Sequence, residues 1–146
     1  MDIKFKYIGN FEAPKIQTAG SAGLDLFNNE DTPKTVIPGK SVTMDTGFYV
    51  EIPEGYVGLV FARSSLGFKF DCTLSNSVGV IDSDYRGEVK VKIHNNSDSI
   101  KFIMPGERVA QLVVVPCLTA YKQVEELSET ERGVNGFGST GKEVSK

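Results

Sequence analysis

Arg63-Ser64-Ser65 supplies a fork-shaped cation and two hydroxyls just ahead of Leu66-Gly67-Phe68-Lys69, where a short helix can open with a serine as its cap. Such a set suits an oxyanion, phosphate above all. Taken alone, the tripeptide is more often a surface arginine on a capped turn. A second group is Gly79-Val80-Ile81-Asp82-Ser83-Asp84-Tyr85-Arg86-Gly87, in which apolar residues lead into what reads as a hairpin tip. Asp82 there is the candidate general base, a carboxylate beside hydrophobic side chains. Aspartates also favour turns for their own sake, so the residues by themselves leave both readings open.

Gln111 lies in a strand-like run with Val113 and Val115, where an amide among apolar neighbours needs a partner. Further on, Gly133-Val-Asn-Gly-Phe-Gly-Ser-Thr comes close to GxxxxGK[ST], with Ser139 where that motif has lysine. The missing charge, and the lack of a strand before or a helix after, exclude a phosphate loop of that kind. The composition is that of a flexible tail, and such a segment can still fold over a ligand.

These groups must be held by strands. Ile3, Phe5 and Tyr7 alternate with Lys4 and Lys6, Phe48, Val50 and Ile52 repeat at the same period, and Val89, Val91 and Ile93 alternate with Lys90, Lys92 and His94. Turn residues punctuate them at Ile37-Pro38-Gly39-Lys40, Ile52-Pro53-Glu54-Gly55, His94-Asn95-Asn96-Ser97 and Met104-Pro105-Gly106. Many short strands with regular turns predict an all-β sandwich or barrel. Glu125 to Glu131 is the other polar helix candidate, but it lacks an apolar stripe and reads as a surface turn or linker. Residues 1–131 are expected to form one β domain, and 132–146 a mobile glycine-rich arm.

In order and spacing, Ala22-Gly23-Leu24-Asp25-Leu26, the Arg63 segment, Gly79 to Gly87, Gly106-Glu107-Arg108-Val109-Ala110-Gln111-Leu112 and Arg132 to Gly141 resemble the five motifs of the homotrimeric dUTPases. The resemblance runs from about Lys15 onward. It implies a distorted jelly-roll or β-barrel with at most one short helix, and Mg²⁺-dependent hydrolysis of dUTP to dUMP and pyrophosphate. It implies Asp82 as the base that activates water for in-line attack on the α-phosphorus, and phosphate contacts from Arg63, Ser64, Ser65 and Gln111. The backbone of Gly79, Val80 and Ile81 would pair with the uracil edge, with Asn76 and the backbone of Lys90 nearby, because fixed donors and acceptors reject cytosine. Tyr85 would lie against the deoxyribose and refuse a 2′-hydroxyl. Within the arm, Arg132, Ser139 and Thr140 would hold the γ-phosphate, Phe137 would stack on the base, and Gly138 would let the arm close. Asp25 is expected to support the site, ordering metal-bound water or a neighbouring subunit, and Glu107 and Arg108 to serve as turn and subunit-contact residues. Mg²⁺ favours phosphate oxygens and waters, so no direct protein ligand is expected. The implied assembly is a homotrimer with sites at subunit interfaces. Related dCTP deaminases share the fold and the arginine-serine segment, but Asp82 with Tyr85 and the complete arm favour dUTP. A trimeric regulatory binding module is the remaining alternative.

Composition narrows the field further. The 146 residues are 40% hydrophobic and 24% charged, as in a single globular domain. A net charge of −3 with interspersed signs gives no cationic face for a nucleic acid polymer. Cys72 and Cys117 stand apart, which fits a reducing setting, and the charged start Met-Asp-Ile-Lys-Phe-Lys is no signal peptide. A cytoplasmic protein away from membranes is the expectation.

Overall fold

The computed structural model describes residues 2–136. Its strands are β1 (Lys4–Tyr7), β2 (Leu24–Phe27), β3 (Lys34–Val36), β4 (Ser41–Met44), β5 (Phe48–Glu51), β6 (Tyr56–Ala62), β7 (Cys72–Leu74), β8 (Gly79–Ile81), β9 (Val91–Asn95), β10 (Lys101–Ile103) and β11 (Arg108–Pro116). One helix, α1 (Ser64–Phe70), interrupts them. The class is all-β, as expected. Four antiparallel sheets build it: β2-β11-β6-β8, β4-β9-β7, β1-β5 and β3-β10. Among the described residues they do not close into one continuous barrel.

Period-two alternation works where one sheet face is buried and the other is wet. Phe48, Val50 and Ile52 are all but sealed from solvent, as are Val89, Val91 and Ile93, whereas Lys90 and Lys92 point outward. The core gathers these with Leu26, Val36, Met44, Val60, Ile103, Val109 and Leu112. Phe5 is half exposed yet stacks on Phe48 with ring centres 5.2 Å apart, so β1 covers the core from outside. Turns form as the residue types require. Lys40 N–H donates to Ile37 C=O at 3.0 Å, and Glu107 N–H to Met104 C=O at 3.0 Å.

Asn95 closes β9 as a fully buried amide with every donor and acceptor used. Its Nδ2 donates to Val36 C=O and Ser99 C=O, each at 2.8 Å, and its Oδ1 accepts from Ser97 N–H at 2.9 Å and Ser97 Oγ at 2.7 Å. Replacing Asn95 with alanine strands those partners in a dry corner. The expected loss is about 2 kcal/mol, read as a lower midpoint of urea unfolding with an unchanged slope.

Two local expectations need correction. The helix is preceded by Arg63, in extended backbone, and its first turn has no side-chain cap, so neither serine serves as one. The segment after Ile81 is no paired hairpin either. β8 pairs with β6, while both edges of β9 are taken by β4 and β7, which leaves β8 no edge there. Residues 82–90 therefore form a loop between sheets, opened by a turn in which Tyr85 N–H donates to Asp82 C=O at 3.2 Å. Beyond Pro116 no further strand or helix occurs through residue 136.

Candidate active site

Arg63 and Gln111, two of the residues expected to meet phosphate, lie on one face of the β2-β11-β6 sheet. Gln111 is opposite Asp25 on β2 and opposite Phe61 on β6, so the three share a face, and Arg63, two residues beyond Phe61, joins them. Arg108 is three residues from Gln111, and regular alternation would turn it to the other side. A β-bulge prevents this: the register steps from Arg108↔Phe27 to Ala110↔Leu26, leaving Val109 as the extra residue. Arg108 is thereby brought back onto the face of Asp25.

Asp25 joins these groups. Its side chain is 10% exposed, and its two oxygens take Arg63 Nε at 3.1 Å and Arg108 Nη1 at 3.1 Å. A carboxylate shared by two guanidiniums fixes the direction of both and leaves the Nη nitrogens of Arg63 for an anion. Gln111 Nε2 lies 3.5 Å from Ala62 C=O, beside the start of α1 where Ser64 and Ser65 stand. The expectation for Arg108 was a turn or subunit contact, and this pairing is what the residue pattern did not reveal. Only the bulge could have signalled it, and Val109-Ala110 gives no sign of one. Glu107 does serve the turn, its Oε2 accepting from Met104 N–H at 2.9 Å.

A second group surrounds β8. Asn76, Gly79, Val80, Ile81 and Lys90 line one cleft of about 440 Å³ together with Ser75 and Lys92. Asn76 reaches it from a tight turn in which Ser77, at φ 62°, takes the left-handed conformation and donates to Leu74 C=O at 3.0 Å. The ammonium of Lys90 is engaged by carboxylates, 2.6 Å from Asp45 and 3.5 Å from Glu88. The hydrogen bond to Asp45 and that carboxylate's charge hold Lys90 above the usual lysine value. Val80, Ile81 and Lys90 also line an adjoining cleft of about 270 Å³ with Asp82, Tyr85 and Glu88. The groups proposed to read a base thus border the groups proposed to act beside it.

A single copy does not bring the two groups together. Ile81 is level with Gly58 and Gly79 with Val60, so β8 runs toward the end of β6 opposite Arg63. Asp82 is about level with Val57, six residues from Arg63, a separation of roughly 20 Å along the strand. Arg132 lies in an exposed turn, where Asn135 N–H donates to its C=O at 3.1 Å. Phe137, Gly138, Ser139 and Thr140 fall outside the described residues. Among the described residues no group of three or more His, Cys, Asp and Glu residues could hold a metal. Both oxygens of Asp25 are already taken by arginines.

Comparison with known proteins agrees with this geometry. The dUTPase family model matches residues 9–141. The deoxyuridine 5'-triphosphate nucleotidohydrolase of Rhizobium etli (strain CIAT 652) is 47% identical over 133 residues, covering 89% of this sequence and 85% of that protein. Its counterpart in Desulfitobacterium hafniense (strain DSM 10664 / DCB-2) is 42% identical over 144 residues, 95% of each protein. Among solved structures, a mutant dUTPase of Staphylococcus phage 80alpha superposes with a TM-score of 0.85 at 31% identity, covering 94% of this sequence and 98% of that one. Another mutant of the phage enzyme, solved with dUpNHpp, gives 0.82 at 30% identity, covering 96% and 98%. The jelly-roll-like arrangement of the strands, the first four motifs on it and these likenesses agree, and the protein belongs to the dUTPase family of nucleotide hydrolases.

Proposed function

We propose that the protein hydrolyses dUTP to dUMP and pyrophosphate in a homotrimer, at sites built from more than one copy. The observation that supports this reading is the pair of adjoining clefts around β8, one lined by Asn76, Gly79, Val80 and Ile81 and the other by Asp82 and Tyr85, with Val80, Ile81 and Lys90 shared. Uracil presents acceptor, donor and acceptor, and a rigid backbone edge that satisfies this order leaves groups unpaired against cytosine. Tyr85 then meets the sugar. Asp82 takes a proton from a water, the water oxygen bonds to the α-phosphorus, and the bond to the bridging oxygen breaks in line, releasing pyrophosphate.

Arg63, with Gln111, Ser64 and Ser65, receives the triphosphate. The roughly 20 Å between Arg63 and Asp82 supports a site completed by Asp82 of one copy and Arg63 of another, which a three-fold assembly provides. The residues after β11 point the same way. Leu118, Tyr121 and Leu127 are 89%, 93% and 87% exposed, large side chains left uncovered among the described residues. Residues 132–146 serve as the arm that closes over the nucleotide, with Arg132, Ser139 and Thr140 on the γ-phosphate and Phe137 and Gly138 over the base.

The donor set suits Mg²⁺ carried on the triphosphate and completed by waters rather than held by a protein cage. When bound, it neutralises charge on the phosphate oxygens. Asp25 supports the site by aiming Arg63. No helix among the described residues is long and apolar enough to cross a membrane, and we place the activity in the cytoplasm with the nucleotide pool.

A substrate panel tests the reading. With Mg²⁺, pyrophosphate release from dUTP should exceed that from dTTP, dCTP and UTP by at least on the order of a hundredfold. Ammonia release from dCTP would assign the deaminase chemistry instead, and no pyrophosphate from dUTP would leave a binding module.

A further inference from the structure

The loop that carries Asp82 and Tyr85 is stapled to the β4-β5 corner through one residue. Glu88, with its carboxylate 15% exposed, accepts from Gly47 N–H through Oε1 at 2.7 Å, while its backbone C=O accepts from Tyr85 Oη at 2.9 Å. One residue thus holds the corner with its carboxylate and the tyrosine with its backbone. Gly47 presents that N–H from φ 66°, a conformation a side chain resists, with its own C=O accepting from Ile8 N–H at 2.8 Å. Flanking bonds secure the same stem: Thr46 Oγ1 donates to Val89 C=O, Val89 N–H donates to Phe48 C=O at 2.8 Å, and Lys90 reaches Asp45. The tyrosine ring lies so close over Gly87 that a methyl group there would strike its hydroxyl end. Tyr85 is 43% exposed, and the hydrogen bond of its hydroxyl among the described residues is the one to Glu88 C=O. Its place therefore depends on the loop beneath it.

The geometry points to Glu88 as a positioning residue that fixes Tyr85 and thereby sets discrimination between deoxyribose and ribose. This deepens the proposed function and rests on Tyr85 meeting the sugar there. A hydroxyl is refused by a ring only if the ring cannot retreat. Glu88 tethered to Gly47 keeps the C=O that anchors the Tyr85 hydroxyl from moving, so a 2′-hydroxyl meets a wall. Without the tether the loop gives by a few tenths of an ångström, enough to admit the extra atom.

The test is the ratio of kcat/KM for dUTP over UTP, measured for the parent protein and for E88A, E88Q, Y85F and Y85A. E88A should lower the ratio by on the order of tenfold, chiefly by raising activity on UTP. E88Q retains an oxygen for Gly47 N–H and should restore most of the ratio. Y85F, which removes only the bond to Glu88, should lower it several-fold and decides the matter if E88A does not fold. Equal losses on both substrates in E88A, or an unchanged ratio in Y85F, would show Glu88 to be merely structural and overturn the inference. An unchanged ratio in Y85A would remove the sugar contact itself, and the inference with it.

Discussion

Asp82→Asn should slow turnover of dUTP by about 10²-fold to 10⁴-fold, a barrier increase of about 3 to 5 kcal/mol, while binding stays within a few-fold of the parent. The substitution is nearly isosteric. An amide can still hold a water by hydrogen bonding, but it cannot take the proton, so the loss belongs to the chemical step. The position argues for the same split: Asp82 follows directly on β8 in an exposed loop, bordering the cleft proposed to hold the base without lining it. Single-turnover hydrolysis with equilibrium dUTP binding separates the two effects. A variant that binds normally and turns over at the parental rate would remove Asp82 from the mechanism.

Asp25→Asn is expected to damage the site from a distance. Its carboxylate is the common partner of Arg63 and Arg108 at 3.1 Å each, and the amide meets one of them with its own N–H groups. Two guanidiniums are left close together with no charge between them. Because the arginines are 30% and 43% exposed, water relieves part of the repulsion, and the stability loss should be about 2 kcal/mol, below that for a sealed ion pair. The kinetic effect should be larger in proportion. With Arg63 no longer aimed, kcat/KM for dUTP should fall about a hundredfold. Urea unfolding and steady-state kinetics check the two figures, and a variant with intact kinetics would show that Arg63 needs no such partner.

Much of the fold was legible because strand alternation reports burial. Phe48, Val50 and Ile52, and Val91 with Ile93, lie in the core, and their lysine neighbours face solvent. Turn chemistry marked the reversals at Pro38-Gly39 and Pro105-Gly106 because glycine there takes φ of 66° and 76°. Pairing was less readable. The run Gly79 to Gly87 resembles a hairpin locally, but whether β8 meets β9 depends on β4 and β7, strands that lie elsewhere in the sequence. The pairing of Arg108 with Asp25 was illegible for a similar reason. A bulge shifts the phase of β11 and carries that arginine to Asp25, 83 residues away. The partnership of Glu88 with Gly47 spans 41 residues and leaves no local trace either. The candidate site residues followed from resemblance, Asp25 among them as a supporting group, and what resemblance left out was its pairing with both Arg63 and Arg108.

Subunit mixing tests the central claim most directly. Arg63→Ala and Asp82→Asn should each be nearly inactive as pure proteins. Unfolded together in equal amounts and refolded, they should mix within the proposed trimer so that about a quarter of the sites pair an intact Asp82 from one copy with an intact Arg63 from another. Recovery of about a quarter of parental activity is the predicted result. A mixture no more active than the average of its two parents would show that each copy works with its own arginine and aspartate, contrary to the geometry of β6 and β8.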